Sequence, residues 1–234
     1  MLIHRTNVKH RLPRQQIYLV GAFVALFLLA MMLPLTEFYL PHHYFLPLHT
    51  FLEFAAILFA FLVFASVWHT PEKEVSTSSL LIAVTLLATG WLDFAHVMSY
   101  KGMPDLITPS SPQKAIAFWL FARILFAGVI LFVSFFPHLH LPGRRFRYML
   151  LAIFSAINLA VLWLVFFQES SLIVTYDEST GLSQFKIITE WVITAMLAVA
   201  AFRYYRLACA SGHEFSTLMF SAIAISAMSE FFFC

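Results

Sequence analysis

The sequence predicts an all-α integral-membrane protein, a bundle of about seven transmembrane helices with its amino end in the cytoplasm. Three observations lead there. Charged residues make up only 11% of the chain, about half the share in a soluble domain. Its 27 phenylalanines are more aromatic bulk than a soluble core of this size can bury. Seven separate apolar stretches are each long enough to cross a hydrocarbon core ~30 Å thick as a helix.

In chain order, residues 1–16 form a basic leader with Arg5, Lys9, Arg11 and Arg14. A secretory signal begins the same way, but its apolar core is shorter and ends at a small-residue cleavage site. The run that follows ends instead in PLTEF, so residues 17–36 read as an uncleaved first span. Further spans are expected over 45–67, 78–98, 115–136, 148–167, 185–203 and 215–234, with errors of about 2–4 residues at each boundary. Short connections separate them, and Pro41, Pro71, Pro104, Pro109, Pro112, Pro142 and Gly143 punctuate several of these. Residues 17–234 therefore form one transmembrane domain.

Orientation follows from the Lys and Arg in the connections. One side collects the four of the leader, Lys73, Arg144, Arg145, Arg147, Arg203 and Arg206, ten in all. The other side has Lys101 and Lys114, with Lys186 just inside a helix. The excess places the leader in the cytoplasm, at the start of a multi-pass membrane protein. The chain stops at SEFFFC, in the middle of an apolar run. The expectation is that the last helix of the domain, an eighth, and any output domain lie beyond it. Cys209 and Cys234 fall on opposite sides, which argues against a disulfide and against a thiolate metal site.

Ionisable groups in lipid-buried helices are costly and mark function by default. Here they share a depth. In the second span His49 and Glu53 are spaced i, i+4 and lie about one and two turns below the outer surface. In the third, Asp93 and His96 share a face within about 8 Å of its outer end. Arg123 sits ~12 Å deep in the fourth span. Lys186 and Glu190 form an i, i+4 pair in the outer half of the sixth, and Glu230 is about one turn from the outer end of the seventh. The stretch WLDFAHVMSYKGMP adds Tyr100 and Lys101 at the rim.

Such groups can simply pair to lock helices together, Arg123 with Asp93 or Glu190 and Lys186 with Glu190. Four acids, two cations and two imidazoles in one layer nevertheless exceed what packing requires, and a ligand-binding site opening outward is expected. His49, Glu53, Asp93 and His96 have spacings that suit a first-row metal. Two imidazoles on neighbouring helices can also ligate a haem, whereas Arg123 and Lys186 suit an anionic or quinone-like ligand. The cofactor is therefore unknown, with a metal ion or haem among the options.

Other residues carry weaker signals. His42 and His43 read as interfacial, His138 and His140 as cytoplasmic neighbours of a topology signal in Arg144, Arg145 and Arg147. Trp68, Trp91, Trp119, Trp163 and Trp191 fit packing or interfacial belts. Residues 174–181 read as a solvated turn, and Asn158 as an interhelical hydrogen bond. No nucleophile with its base, no phosphate-binding glycine loop and no basic nucleic-acid surface is present. Enzymatic activity in this segment is therefore not expected, nor is a nucleic-acid partner.

Five ordered strings carry a family resemblance: HTFLEF at 49–54, GWLDFAHVMSYKGMP at 90–104, WLFAR at 119–123, FKIITEW at 185–191 and SE at 229–230. Together they resemble the bacterial membrane-associated sensor (MASE) domains of the third type, over roughly residues 17–234. The resemblance implies a sensory input module ahead of a PAS, histidine-kinase, diguanylate-cyclase or cyclic-di-GMP phosphodiesterase module. It also implies a further helix into the cytoplasm. It supplies no ligand. The residues matching its motifs are His49, Glu53, Asp93, His96, Tyr100, Lys101, Arg123, Lys186, Glu190 and Glu230. The expected partners are the lipid bilayer, a small ligand or ion, a cytoplasmic output domain and, as in many receptors, a second copy of the chain. Two rival classes stay open, a transporter or channel and a haem- or metal-binding redox protein. The first needs a polar route across the whole membrane, whereas the inner halves of these spans are apolar.

Overall fold

A computed structural model describes residues 14–32, 42–137, 139, 143–177 and 179–231. Among these residues are seven α-helices: α1 (Arg14–Met32), α2 (His42–His69), α3 (Thr77–Met98), α4 (Pro112–Phe135), α5 (Arg144–Phe167), α6 (Gln184–Ser211) and α7 (Glu214–Phe231). Between α5 and α6 lies a small antiparallel hairpin of β1 (Tyr176–Asp177) and β2 (Gly181–Leu182). Helices α2 to α6 are long and apolar enough to cross a membrane. The expected spans and the helices coincide closely. The leader's Arg5, Lys9 and Arg11, the end of the first span at 33–36, His138, His140, Cys234 and the side chains of His42 and His43 lie outside the described residues.

Local chemistry sets the helix ends. Ser76, Ser111 and Ser183 cap α3, α4 and α6, each side-chain oxygen accepting a backbone N–H three residues on. Pro112 follows its cap as the first residue of α4, where a missing N–H costs nothing. The largest departure from expectation is at the end of α6. A connection was expected from residue 203, but the helix continues to Ser211 and ends at Gly212, in the left-handed conformation with φ 65°. Arg203 and Arg206 therefore sit on the helix rather than in a loop. The reason is that RYYRLACAS contains no breaker before Gly212, so nothing stops the helix when its composition turns polar.

The helices pack in sequence around α3 and α4. Helix α2 lies on α3, α3 on α4 and α5, α4 on α5 and α6, α6 on α7, and α7 on α1. Leu92, Phe118 and Val165 fill the junction of α3, α4 and α5, while Ile130, Leu197 and Ile223 join α4, α6 and α7. Gly90 lets α2 approach α3, since a Cβ there would stand 2.7 Å from Phe61 Cε1. The large exposed side chains of α2, among them Phe51 and Phe59, form the lipid-facing surface that a membrane helix requires.

At one end of the bundle polar groups clamp the helices through backbone carbonyls. Arg147 donates to Trp68 O at 3.3 Å and Thr70 O at 3.0 Å, satisfying carbonyls that the end of α2 leaves free. Ser78 Oγ donates to Phe136 O and Arg203 Nε to Ser134 O. Arg147 thus has a structural task beside its part in the charge asymmetry. Asn158 Nδ2 donates to Ala88 O at 3.0 Å across α5 and α3, the interhelical hydrogen bond expected of it.

Candidate ligand site at the polar end of the bundle

The opposite end gathers the first turns of α2, α4 and α6 and the last turns of α3 and α7. Here α2 presents His49 and Glu53 on one face, α3 presents Asp93 and His96 at i and i+3, and Tyr100 follows in the turn after α3. The rings of His49 and His96 meet edge to face with centroids 5.8 Å apart, and His49 lies 5.2 Å from the ring of Tyr100. Phe45 stacks on His49 at 5.5 Å, nearly parallel. Three donor atoms, one each from His49, Glu53 and His96, lie within 4.8 Å of one another.

A second group of charges lies beside the first. Arg123 Nη2 is 3.7 Å from Asp93 Oδ1, and its Nε is 3.5 Å from Glu230 Oε1. This cluster ties α3, α4 and α7 together. Lys186 Nζ pairs with Glu190 Oε1 at 2.5 Å within α6, and Glu190 is completely buried. Trp119 stands between the two cations. The Arg123 guanidinium is 5.7 Å and the Lys186 ammonium 5.8 Å from its ring centroid, within cation–π range.

A cavity of about 370 Å³ opens among these groups. Its polar wall is His49, Glu53, His96, Lys186 and Glu190, and its apolar wall includes Phe45, Ile116 and Trp119. Tyr100 and Leu182 complete the lining. This volume falls within the range of small-molecule sites, as does the pattern of apolar walls with a few convergent polar groups. Leu182 comes from β2, so the hairpin helps to close the cavity. The hairpin is held in place by Gln113 of α4, whose Oε1 accepts from Thr175 N at 2.8 Å, Thr175 Oγ1 at 2.7 Å and Tyr176 N at 3.2 Å. Its own turn is held by Asp177, which accepts from the Ser179 hydroxyl and from the amides of Ser179 and Thr180. These hydrogen bonds, that of the Ser179 hydroxyl first, hold the Asp177 carboxyl below the ordinary carboxylate range.

The structure therefore divides the expected site residues. His49, Glu53, His96, Tyr100, Lys186 and Glu190 line the cavity. Asp93, Arg123 and Glu230 form the charge cluster next to it. Lys101 is exposed in the turn after α3. Asp93, grouped from its spacing with the other three as a metal ligand, lies outside the close trio of donors and faces Arg123. Two of the pairings expected from sequence, Arg123 with Asp93 and Lys186 with Glu190, are present. Sequence reasoning missed Trp119, Phe45, Ile116, Leu182 and Gln113. Its only available signal was WLFAR, where Trp119 precedes Arg123 by one helical turn.

A family model described as a membrane-associated sensor domain, MASE3, matches residues 40–234. No curated protein and no solved structure matches the chain.

Proposed function

Because the chain belongs to the MASE3 family of membrane-associated sensor domains, we propose that the cavity at its polar end is where the stimulus binds. The stimulus is a small ligand or ion. The observation that carries this reading is the meeting of α2, α3, α4 and α6, with the hairpin, around one cavity of about 370 Å³ lined by ionisable side chains. A ligand shifts a helix arrangement only by its different affinity for two states. A cavity walled by several helices offers that difference, since any rotation or slide of α2 or α6 changes its shape. In this reading the orientation is the one given by the basic residues, with the cavity on the extracytoplasmic side of a bacterial inner membrane. The domain passes its change to a cytoplasmic signalling module, such as a kinase or a cyclic-di-GMP enzyme.

Joining the chain to a diguanylate-cyclase output module tests this, with the product measured in cells. W119A and E190Q change the output, whereas W163A, on the exposed face of α5, leaves it as in the parent. Equal output from all variants, at equal membrane levels, would overturn the cavity as the sensing site.

A further inference from the structure

We propose that His49, Glu53 and His96 bind one divalent first-row transition-metal ion, of the zinc class, between α2 and α3. This rests on the reading of the cavity as the sensing site and names what occupies part of it.

The donor set is the first support. Two imidazoles and one carboxylate, with donor atoms within 4.8 Å of one another, match the three-ligand sites that leave a coordination position open. Imidazole donors favour zinc and its first-row neighbours over magnesium or calcium, which prefer all-oxygen shells. All three side chains line the cavity, which leaves room beside the ion for a water or a further ligand.

The tautomer of His96 is the second. Its Nδ1 lies 2.7 Å from Ala115 O in the first turn of α4. A carbonyl only accepts, so Nδ1 holds the proton and Nε2 of the neutral ring keeps its lone pair. Metal-ligating histidines are oriented in this way, by donation of the other ring N–H to a carbonyl or carboxylate.

The third is the state of the two α2 donors. Among the described residues His49 Nε2 is buried and without a hydrogen-bond partner, an unfavourable state for a buried polar atom unless something fills it. Phe45 and Tyr100 hold the ring from its sides. Glu53 forms no ion pair among the described residues, and a carboxylate in a membrane helix calls for a cation. The nearby cations have closer partners, Arg123 in Asp93 and Glu230 and Lys186 in Glu190, so Arg123 reaches Glu53 only through space.

An ion fits here better than a haem. Glu53 offers an oxygen within 4.8 Å of both imidazole donors, so two axial imidazoles would place that carboxylate in the plane of the macrocycle. Around zinc at ~2.0–2.1 Å, tetrahedral donors stand roughly 3.3 Å apart. Binding holds the three donors at that spacing. Since two belong to α2 and one to α3, the ion ties these helices together at the polar end.

The test is uptake of Co²⁺ by the purified whole chain in nanodiscs after stripping with chelator, read by its visible d–d absorption and by elemental analysis. One Co²⁺ per chain is expected, displaced by Zn²⁺. H49A and H96A weaken binding by more than ~100-fold, beyond what second-shell changes usually produce, and E53Q weakens it less. Helical circular dichroism of the stripped variants checks folding, and H49Q and H96Q stand in for any alanine variant that fails. Failure of the parent to take up Co²⁺ or Zn²⁺, or unchanged binding in both histidine variants, overturns the metal site. If the metal site fails while W119A and E190Q still change output, the sensing cavity stands without it. If Co²⁺ binds as expected but no cavity variant changes output, the sensing reading falls and the ion remains a staple between α2 and α3.

Discussion

Arg123 lies between two carboxylates from different helices, Asp93 of α3 and Glu230 of α7. A buried ion pair adds little net stability, because desolvation opposes the Coulomb gain, but removing one partner leaves an uncompensated charge. R123Q would leave two acids facing each other where α3, α4 and α7 meet. We expect it to cost roughly 3 kcal/mol, near the low end for a broken buried pair because the guanidinium is 26% exposed. Denaturant unfolding of the reconstituted protein measures this, and a loss below about 1 kcal/mol would show that the acids need no cation there. At this scale the charged members of the site were legible, since each stands out against an apolar helix. Their pairing was only partly legible. Asp93 is three residues from His96 and so shares its face, but the rotation of α3 against α4 decides that Asp93 meets Arg123. Trp119 was not legible either, because a tryptophan near a helix end reads equally as a lipid anchor until its neighbours are known.

The elements show the same division between local and tertiary causes. Caps at Ser76, Ser111 and Ser183 mark helix starts that the sequence places within a few residues. The hairpin is different. Residues 174–181 carry turn chemistry, but only the fold brings Gln113 of α4 beneath Thr175 and Tyr176. Q113A strips two amides and one hydroxyl of their acceptor, and we expect a local loss of about 1–3 kcal/mol. Hydrogen exchange at Thr175 and Tyr176 would show it as faster opening, with α4 and α6 unchanged. The contact of α2 with α3 is the second tertiary feature. G90V places carbon where Phe61 Cε1 already stands 2.7 Å from an added Cβ. Overpacking of this kind costs typically 1–3 kcal/mol, and a smaller residue at 61, as in G90V/F61A, should restore part of the contact. Failure of that rescue in thermal unfolding would show that the helix backbone, not the ring, is what Gly90 accommodates.

Across the whole molecule the two ends have opposite chemistry. One end holds the cavity and the hairpin. The other holds Arg144, Arg145, Arg147, Arg203 and Arg206, and there Arg147 and Arg203 join helices by donating to backbone carbonyls. Lys and Arg are retained on the cytoplasmic side of membrane proteins, so this asymmetry predicts an orientation without reference to any ligand. In the proposed orientation the cavity faces the extracytoplasmic side, and a stimulus need not enter the cell. The prediction is read with single cysteines in a chain whose Cys209 and Cys234 are serine. S179C, in the hairpin turn, reacts with a membrane-impermeant maleimide in intact spheroplasts. S211C, at the exposed end of α6, reacts only after permeabilisation. The reverse pattern would turn the cavity toward the cytoplasm and make its ligand an intracellular one. Labelling of both in intact cells would mean that the basic end does not determine a single topology.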